Sequence, residues 1–234
     1  MPIPLFILAG GKGTRAQSVF SGPKILMPIA GKTILERQIE FAHSFKISDI
    51  LLVLAHKAGE VANFVRKKGL PVACVFTDTG ASNGGNLKES LKFAAGNSEV
   101  LVINGDTLTD IPLDKFERYH DLFSGRSKQT ATLACIHWPN TAEYGTVEIG
   151  RYKIKNFAEK TGKKREGWIN AGCYIFPTKL FEEMPENFSI ERDLLPTMAG
   201  IGRLICYRHF GFMFDCGTPE RIAAAEEFFR KHKK

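Results

Sequence analysis

No stretch of this 234-residue chain approaches the ~18 uninterrupted apolar residues of a membrane-spanning helix. The apolar run near the start is short and lacks a basic leader and a small-residue cleavage site, so neither a signal peptide nor a membrane partner is expected, and a cytoplasmic location is. Cysteine is sparse: the five (Cys74, Cys135, Cys173, Cys206, Cys216) are scattered with no CxxC, which reads as reduced structural thiols and not as a disulfide framework or zinc site. GxSxG and HExxH are absent, and the six histidines are dispersed, none paired with cysteine at metal spacing. No aromatics are interleaved in a basic run and no helix-turn-helix is evident, so no nucleic-acid partner is expected despite a net charge of +7. With no repeat, low-complexity run or linker, residues 1–234 are expected to form one domain.

Apolar periodicity is abundant. IPLFILA (3–9), DILLVLA (49–55), PVACVFTD (71–78) and EVLVINGD (99–106) read as buried strands. Between them lie helical patterns: 31–45, starting near 32, with Ile34, Leu35, Gln38, Ile39 and Ala42 inward; 57–69, with Val61, Phe64 and Val65 inward; and a short helix at 86–95. This alternation predicts an α/β fold with a doubly wound, mostly parallel but mixed sheet flanked by helices. The second half is strand-rich, at 130–138, 145–150, 153–160, 169–176 and 202–209, which suggests partly antiparallel additions before a final helix at 219–232. That helix should turn Ile222, Ala225 and Phe228 or Phe229 inward. The excess positive charge comes partly from the tail RKHKK (230–234), read as a solvated end, and from Lys163, Lys164 and Arg165, read as an exposed turn.

In such sheets ligands lie beyond the carboxyl ends of the strands, where LAGGKGTR (8–15), DTGASNGG (78–85) and NGD (104–106) all fall. The first has three glycines in four positions, which are costly to order and suit a loop whose backbone approaches something closely. Gly11, Gly13 and Ala16 meet the looser dinucleotide fingerprint, but Ser21-Gly22-Pro23 opposes immediate entry into a helix, and Ala55-His56 stand where a ribose-binding acid belongs. GKT at 31–33 lacks the earlier glycine of a P-loop, since position 26 is Leu26. A triphosphate loop fits better, with backbone N–H groups on phosphate oxygens, a hydroxyl from Thr14, the planar fork of Arg15 and a second charge from Lys24 after Pro23. Alone, this leaves a ligand-free turn and a solvated Lys24 open.

Asp106 closes NGD, and Asp215 in FDCGTPE also follows a strand-like stretch and precedes a glycine. Each could be a turn former. Together, beside an anion loop, they suggest a magnesium site, because Mg²⁺ takes one or two carboxylates plus phosphates and water. Asp110 reads as a structural cap at Ile111-Pro112 and Asp78 as orienting the 78–80 loop; His56 ends a strand but is not counted among the site residues.

In order along the chain, LAGGKGTR, Pro23-Lys24, PIAGKTIL, NGD, FAEK (157–160), NAGCYIF (170–176), FSIERDLLP (188–196) and FDCGTPE resemble the signature of sugar-phosphate nucleotidyltransferases, and the resemblance covers nearly the whole chain. It implies a Rossmann-like nucleotidyltransferase fold, with 1–110 mainly nucleotide-binding and 111–234 mainly sugar-phosphate-binding. It implies an NTP and a sugar 1-phosphate as partners, Mg²⁺ as cofactor, and allows a homo-oligomer. The nucleotide would lie on Leu8, Ala9, Gly10, Gly11, Gly13, Thr14 and Arg15, with Asn83, Gly84 and Gly85 as a second base-binding stretch. Arg15 would hold the leaving pyrophosphate, and Lys24 would contact the α-phosphate and the incoming sugar phosphate. Asp106 and Asp215 would hold the metal, with Arg15, Lys24, Asp106 and Lys160 carrying catalysis. Gly145, Glu159, Lys160 and Asn170 would form the sugar-phosphate pocket.

Two departures bear on specificity. Ala16-Gln17-Ser18-Val19-Phe20 replaces a common Leu-x-Pro-Leu-Thr, and Ala81-Ser82-Asn83-Gly84-Gly85 replaces a Gly-Thr-Ala/Gly-Gly stretch. The blocks at 144–147, 170–172 and 188–193 most resemble the small heptose 1-phosphate guanylyltransferases, whereas Asp78-Thr79-Gly80 with GGNLKES is similar to glucose 1-phosphate cytidylyltransferases. Guanylyl transfer to a heptose or hexose 1-phosphate is therefore expected, with cytidylyl or uridylyl/thymidylyl transfer, to another sugar phosphate or a phosphorylated alcohol, as alternatives. A nucleotide-sensing protein without activity is the non-enzymatic alternative; it would be expected to lose Lys24, Asp106 or Asp215, and all three are present.

Overall fold

The computed structural model describes residues 3–11, 13–16, 18–78, 80–94, 96–125 and 129–232. The first half alternates β1 (Leu5–Leu8), the two-residue strands β2 (Pro28–Ile29) and β3 (Lys32–Thr33), α1 (Ile34–Ser44), β4 (Ile50–Leu54), α2 (Ala58–Lys68), β5 (Ala73–Phe76), α3 (Asn83–Ser90) and β6 (Glu99–Asn104). The second half comprises β7 (Thr107–Thr109), α4 (Leu113–Ser124), β8 (Ala131–Trp138), β9 (Thr146–Gly150), β10 (Lys153–Ala158) and β11 (Gly167–Pro177), then α5 (Leu195–Gly200), β12 (Leu204–His209), β13 (Met213–Asp215) and α6 (Pro219–Lys231).

Nine strands form one sheet in the order β5-β4-β1-β6-β11-β8-β12-β10-β9. Pairing is parallel through β5-β4-β1-β6 and again between β8 and β12, and antiparallel where β11 joins β6 and β8. The parallel strands are apolar at consecutive positions because both faces are covered. Leu5 and Ile7 of β1 face the layer of α1, α2 and α4, while Phe6 faces the layer of α3 and α5.

Local chemistry moves two helix starts from their expected places. α1 begins at Ile34, not near 32, because Thr33 closes a capping box with Glu36 and Lys32-Thr33 pair with Pro28-Ile29. α3 begins at Asn83, not 86, so Asn83-Gly84-Gly85 form its first turn and not a loop. The expected helix also ended at Ala95, which lies outside the described residues. α4, for which the sequence reading made no provision, buries Leu113, Phe116 and His120 on one face.

The other expected strands and the last helix stand within a few residues of their expected bounds, and Ala225 is fully buried while Ile222 and Phe229 pack beside it. All five cysteines are free thiols. Lys163, Lys164 and Arg165 are exposed; residues 233 and 234 of the tail lie outside the described residues. Among the described residues no helix is long and apolar enough to cross a membrane.

Candidate active site

A third, smaller apolar cluster sets the site. It joins Ala16, Met27, Ile29, Ile34, Leu108, Cys216 and Ala225. Four of the seven lie within three residues of a charged group named above: Ala16 beside Arg15, Met27 after Lys24, Leu108 after Asp106, Cys216 after Asp215. Burial of these neighbours draws four charged side chains, distant in sequence, to one end of the sheet.

Between β1 and α1 the described residues form two short 3₁₀ turns, Thr14–Ala16 and Lys24–Leu26, and the β2–β3 hairpin. This agrees with the expectation that the glycine loop does not run straight into a helix. Gly13 has φ +59°, and a Cβ there would meet the Lys24 Cβ at 3.3 Å. Gly10 is similarly confined, 3.1 Å from the Ala55 Cβ. A Cβ on Gly11 would meet nothing within 4 Å, so packing does not require glycine there, and its bare backbone faces open space. Lys12 lies outside the described residues.

Asp106 sits in the tight turn between β6 and β7. Gly105 permits that turn, since a Cβ would fall 2.6 Å from the Leu8 carbonyl oxygen. Buried Gln38 of α1 donates to the carbonyls of Asn104 (2.9 Å) and Thr107 (2.8 Å) and so fixes both sides of the aspartate. Burial pushes the Asp106 carboxyl up, but the charge and hydrogen bond of Lys24, 2.5 Å away, outweigh it and hold the group below its usual range. Asp215 faces Thr107 across the β7–β13 pair. Burial and the charge of Asp106 push its carboxyl up, against the opposing charges of Lys24, Arg221 and Arg15.

Arg221, in the first turn of α6, donates to Asp215 (2.5 Å) and to Glu143 (2.9 Å), and its guanidinium lies 4.4 Å from the centre of the Tyr144 ring. Burial carries the Tyr144 hydroxyl up to about 12. Arg15 is exposed, 4.0 Å from Glu143.

The opposite wall is built on β9, β10 and β11. The Gly145 carbonyl accepts the Asn170 N–H at 2.9 Å, and a Cβ on Gly145 would fall 2.9 Å from a Glu159 oxygen. Between Asn170 and Tyr174, β11 breaks register with β8; Asn170 donates to the Tyr174 hydroxyl (2.8 Å) and accepts from the Gly172 N–H (2.8 Å). The bulge swings Asn170 toward the cavity. Burial, followed by the charge of Glu191, raises the Glu159 carboxyl despite Lys160 at 3.4 Å.

These walls enclose one cavity of about 500 Å³. Of the expected residues, Leu8, Ala9, Gly10, Gly11, Gly13, Arg15, Lys24, Asn83, Asp106, Gly145, Glu159, Lys160, Asn170 and Asp215 line it. Thr14 does not, being exposed beside it. Gly84 and Gly85 do not either: they are buried, and a Cβ on them would strike the Phe188 ring (2.4 Å) or the Glu186 carbonyl oxygen (2.5 Å). Those two glycines serve the packing of α3 against 186–188. Asn83 lines the cavity while bonded to Glu191 (2.8 Å) and to the Ile190 N–H (3.1 Å).

His56, at the end of its strand, lines the cavity. Asp78 accepts from the Gly80 N–H at 2.9 Å, orienting its loop; Thr79 lies outside the described residues. Asp110 is structural, but through His209 (2.8 Å) and the Phe212 N–H (2.7 Å), not as a cap at Ile111-Pro112.

The sequence reading missed Arg221, Glu143, Gln38 and Asn86 as parts of the site. Glu191 and Arg192 had a signal, since they sit within FSIERD, and a π-helical turn over Ile190–Leu194 brings both to the cavity. Among the described residues no group of three or more His, Cys, Asp or Glu could hold a metal. The two carboxylates Asp106 and Asp215 are hard oxygen donors at one wall, a set that suits a cation completing its shell with phosphate and water.

Residues 5–230 match the family model described as nucleotidyl transferase. The chain is 29% identical over 220 residues to a D-glycero-alpha-D-manno-heptose 1-phosphate guanylyltransferase of Campylobacter jejuni, covering 92% of this chain and 94% of that one. It is 27% identical over 251 residues to a probable glucose-1-phosphate cytidylyltransferase of Bacillus subtilis, covering 96% and 95%. The crystal structure of HddC from Yersinia pseudotuberculosis, complexed with GMP-PN, is similar with a TM-score of 0.84 at 29% identity, covering 97% of this chain and all of that one. Matched along almost its whole length, the chain belongs to the nucleotidyl transferase family, whose relatives here act on sugar 1-phosphates, and its activity is transfer of a nucleotidyl group to a sugar 1-phosphate to form a nucleoside-diphosphate sugar.

Proposed function

We propose that this protein transfers a guanylyl group from GTP to a heptose or hexose 1-phosphate in a magnesium-dependent reaction, releasing pyrophosphate. The observation that carries the reading is one cavity walled on one side by the glycine loop with Lys24, Asp106 and Asp215, and on the other by Gly145, Glu159, Lys160 and Asn170. The similarity to heptose 1-phosphate guanylyltransferases over nearly the full length favours guanine and a heptose.

The acceptor phosphate oxygen is already anionic, so the reaction needs alignment and charge compensation more than a general base. Backbone at Gly10, Gly11 and Gly13 receives the triphosphate, and Arg15 at the open rim takes the leaving pyrophosphate. Lys24, rigidly placed by Pro23 and the turn after it, lies between donor and acceptor phosphates. Lys160 meets the acceptor phosphate; Glu159 and Asn170 accept and donate to sugar hydroxyls. Asp106 and Asp215 would hold Mg²⁺, which when bound offsets charge on the triphosphate.

Pyrophosphate release from a matrix of GTP, CTP, UTP, dTTP and ATP against heptose, mannose and glucose 1-phosphates tests this. GTP with a heptose or mannose 1-phosphate should exceed the other nucleotides by about a hundredfold in kcat/KM. A second reading, cytidylyl transfer, is favoured by Asp78-Thr79-Gly80 and by the similarity to the Bacillus subtilis protein. CTP with glucose 1-phosphate as the best pair would establish it instead. No release with any pair would favour a nucleotide-binding protein without activity.

A further inference from the structure

Each carboxylate expected to face a divalent cation already holds a cation of the chain. Lys24 does this for Asp106 and Arg221 for Asp215. Lys24 has phosphates to move to, whereas Arg221 is fastened differently. Its side chain is only 19% exposed, one arm of its fork is on Asp215, the other is on Glu143, and its plane lies against Tyr144. Glu143 is 61% exposed and accepts from Arg221 at 2.9 Å. The guanidinium can therefore give up one acceptor without becoming a buried, unpaired charge, a condition that would cost several kcal/mol.

We infer that Arg221 is the built-in counter-ion of Asp215: it occupies the carboxylate oxygen that a divalent cation takes, and withdraws onto Glu143 and Tyr144 when the cation arrives. Arg221 is in this sense a positioning residue. It keeps two neighbouring carboxylates compensated in the empty protein and competes with the cation for one of them. The inference rests on the reading of Asp106 and Asp215 as cation ligands.

The test is a titration of the full chain with Mn²⁺ alone, followed by the paramagnetic signal of free Mn²⁺. Arg221→Met removes the competitor and should tighten Mn²⁺ binding about tenfold, the size of one partly screened contact charge. Glu143→Gln leaves the guanidinium with Asp215 as its one charged acceptor and should weaken Mn²⁺ binding. Arg221→Lys keeps the charge but loses the fork that spans both acids, so its affinity should fall between those of wild type and Arg221→Met. Opposite shifts in two variants on one contact are not produced by general loosening of the fold.

Unchanged or weaker binding in Arg221→Met, including no measurable binding in any variant, overturns the inference. So does Arg221→Lys indistinguishable from wild type while Arg221→Met is tighter, since the effect is then one of net charge and not of contact. Wild-type turnover, measured in parallel, separates the two levels. Magnesium-dependent turnover with no gain in Arg221→Met refutes only the role of Arg221, whereas turnover that ignores magnesium refutes the cation site and this inference with it.

Discussion

Glu159 shows how a single residue carries both a cost and a task. Burial raises its carboxyl, with Glu191 adding to the effect and Lys160 opposing it. A carboxyl whose folded value lies above its unfolded value favours the folded state only while protonated, and that advantage is lost as pH rises through the folded value. At neutral pH the ionised group therefore weighs against folding. Glu159→Gln should raise the thermal midpoint near pH 7, and the gain should close below about pH 4, where the carboxyl is protonated in both the folded and the unfolded state. The same variant should raise KM for the sugar 1-phosphate with less effect on KM for the nucleotide. A midpoint gain that persists at low pH would trace the effect to packing.

At the level of elements, two glycines near the cavity are glycine for different reasons. Gly84 lies in the first turn of α3, and an added Cβ would fall 2.4 Å from the Phe188 ring and 2.6 Å from the Phe188 carbonyl oxygen. Gly84→Ala should cost about 1–3 kcal/mol in urea unfolding. Gly11 has open space where a Cβ would go. Gly11→Ala should leave stability within about 0.5 kcal/mol of wild type yet, on the proposed function, raise the nucleotide KM about tenfold, because the methyl would stand where a phosphate would approach the backbone. Equal stability loss in both would mean the glycine loop is held by packing. The sequence pattern gave GASNGG and LAGGKG the same appearance, and only the position of Phe188, a hundred residues away, separates them.

For the whole molecule, β11 is the seam. It pairs antiparallel with β6 of the alternating half and with β8 of the strand-rich half, so one sheet runs through both. The glycine-loop wall of the cavity stands on the β1 and β6 side of that seam, and the wall of Gly145, Glu159 and Asn170 stands on β11 itself and on the ends of β9 and β10 beyond it. Unfolding should accordingly be one cooperative transition, shifted upward as a unit by GTP with Mg²⁺. Two calorimetric peaks, of which only one moves with nucleotide, would show that the halves fold separately.

The amino-acid sequence determined the alternating first half, the glycine loop that does not enter a helix, and the strand-end placement of Asp106 and Asp215. These follow from local rules: apolar periodicity, the restriction before Pro23, the tendency of parallel strands to deliver their loops to one edge for Asp106, and the strand-like run that ends at Asp215. It also supplied Glu159, Lys160 and Asn170 through the motifs they occupy. Tertiary structure alone decided that Arg221 and Glu143 stand beside Asp215, that Gln38 braces the turn around Asp106, and that Gly84 and Gly85 face 186–188 and not the cavity. Those relations join residues distant in the chain through burial and charge pairing, and neither leaves a periodic trace in the sequence.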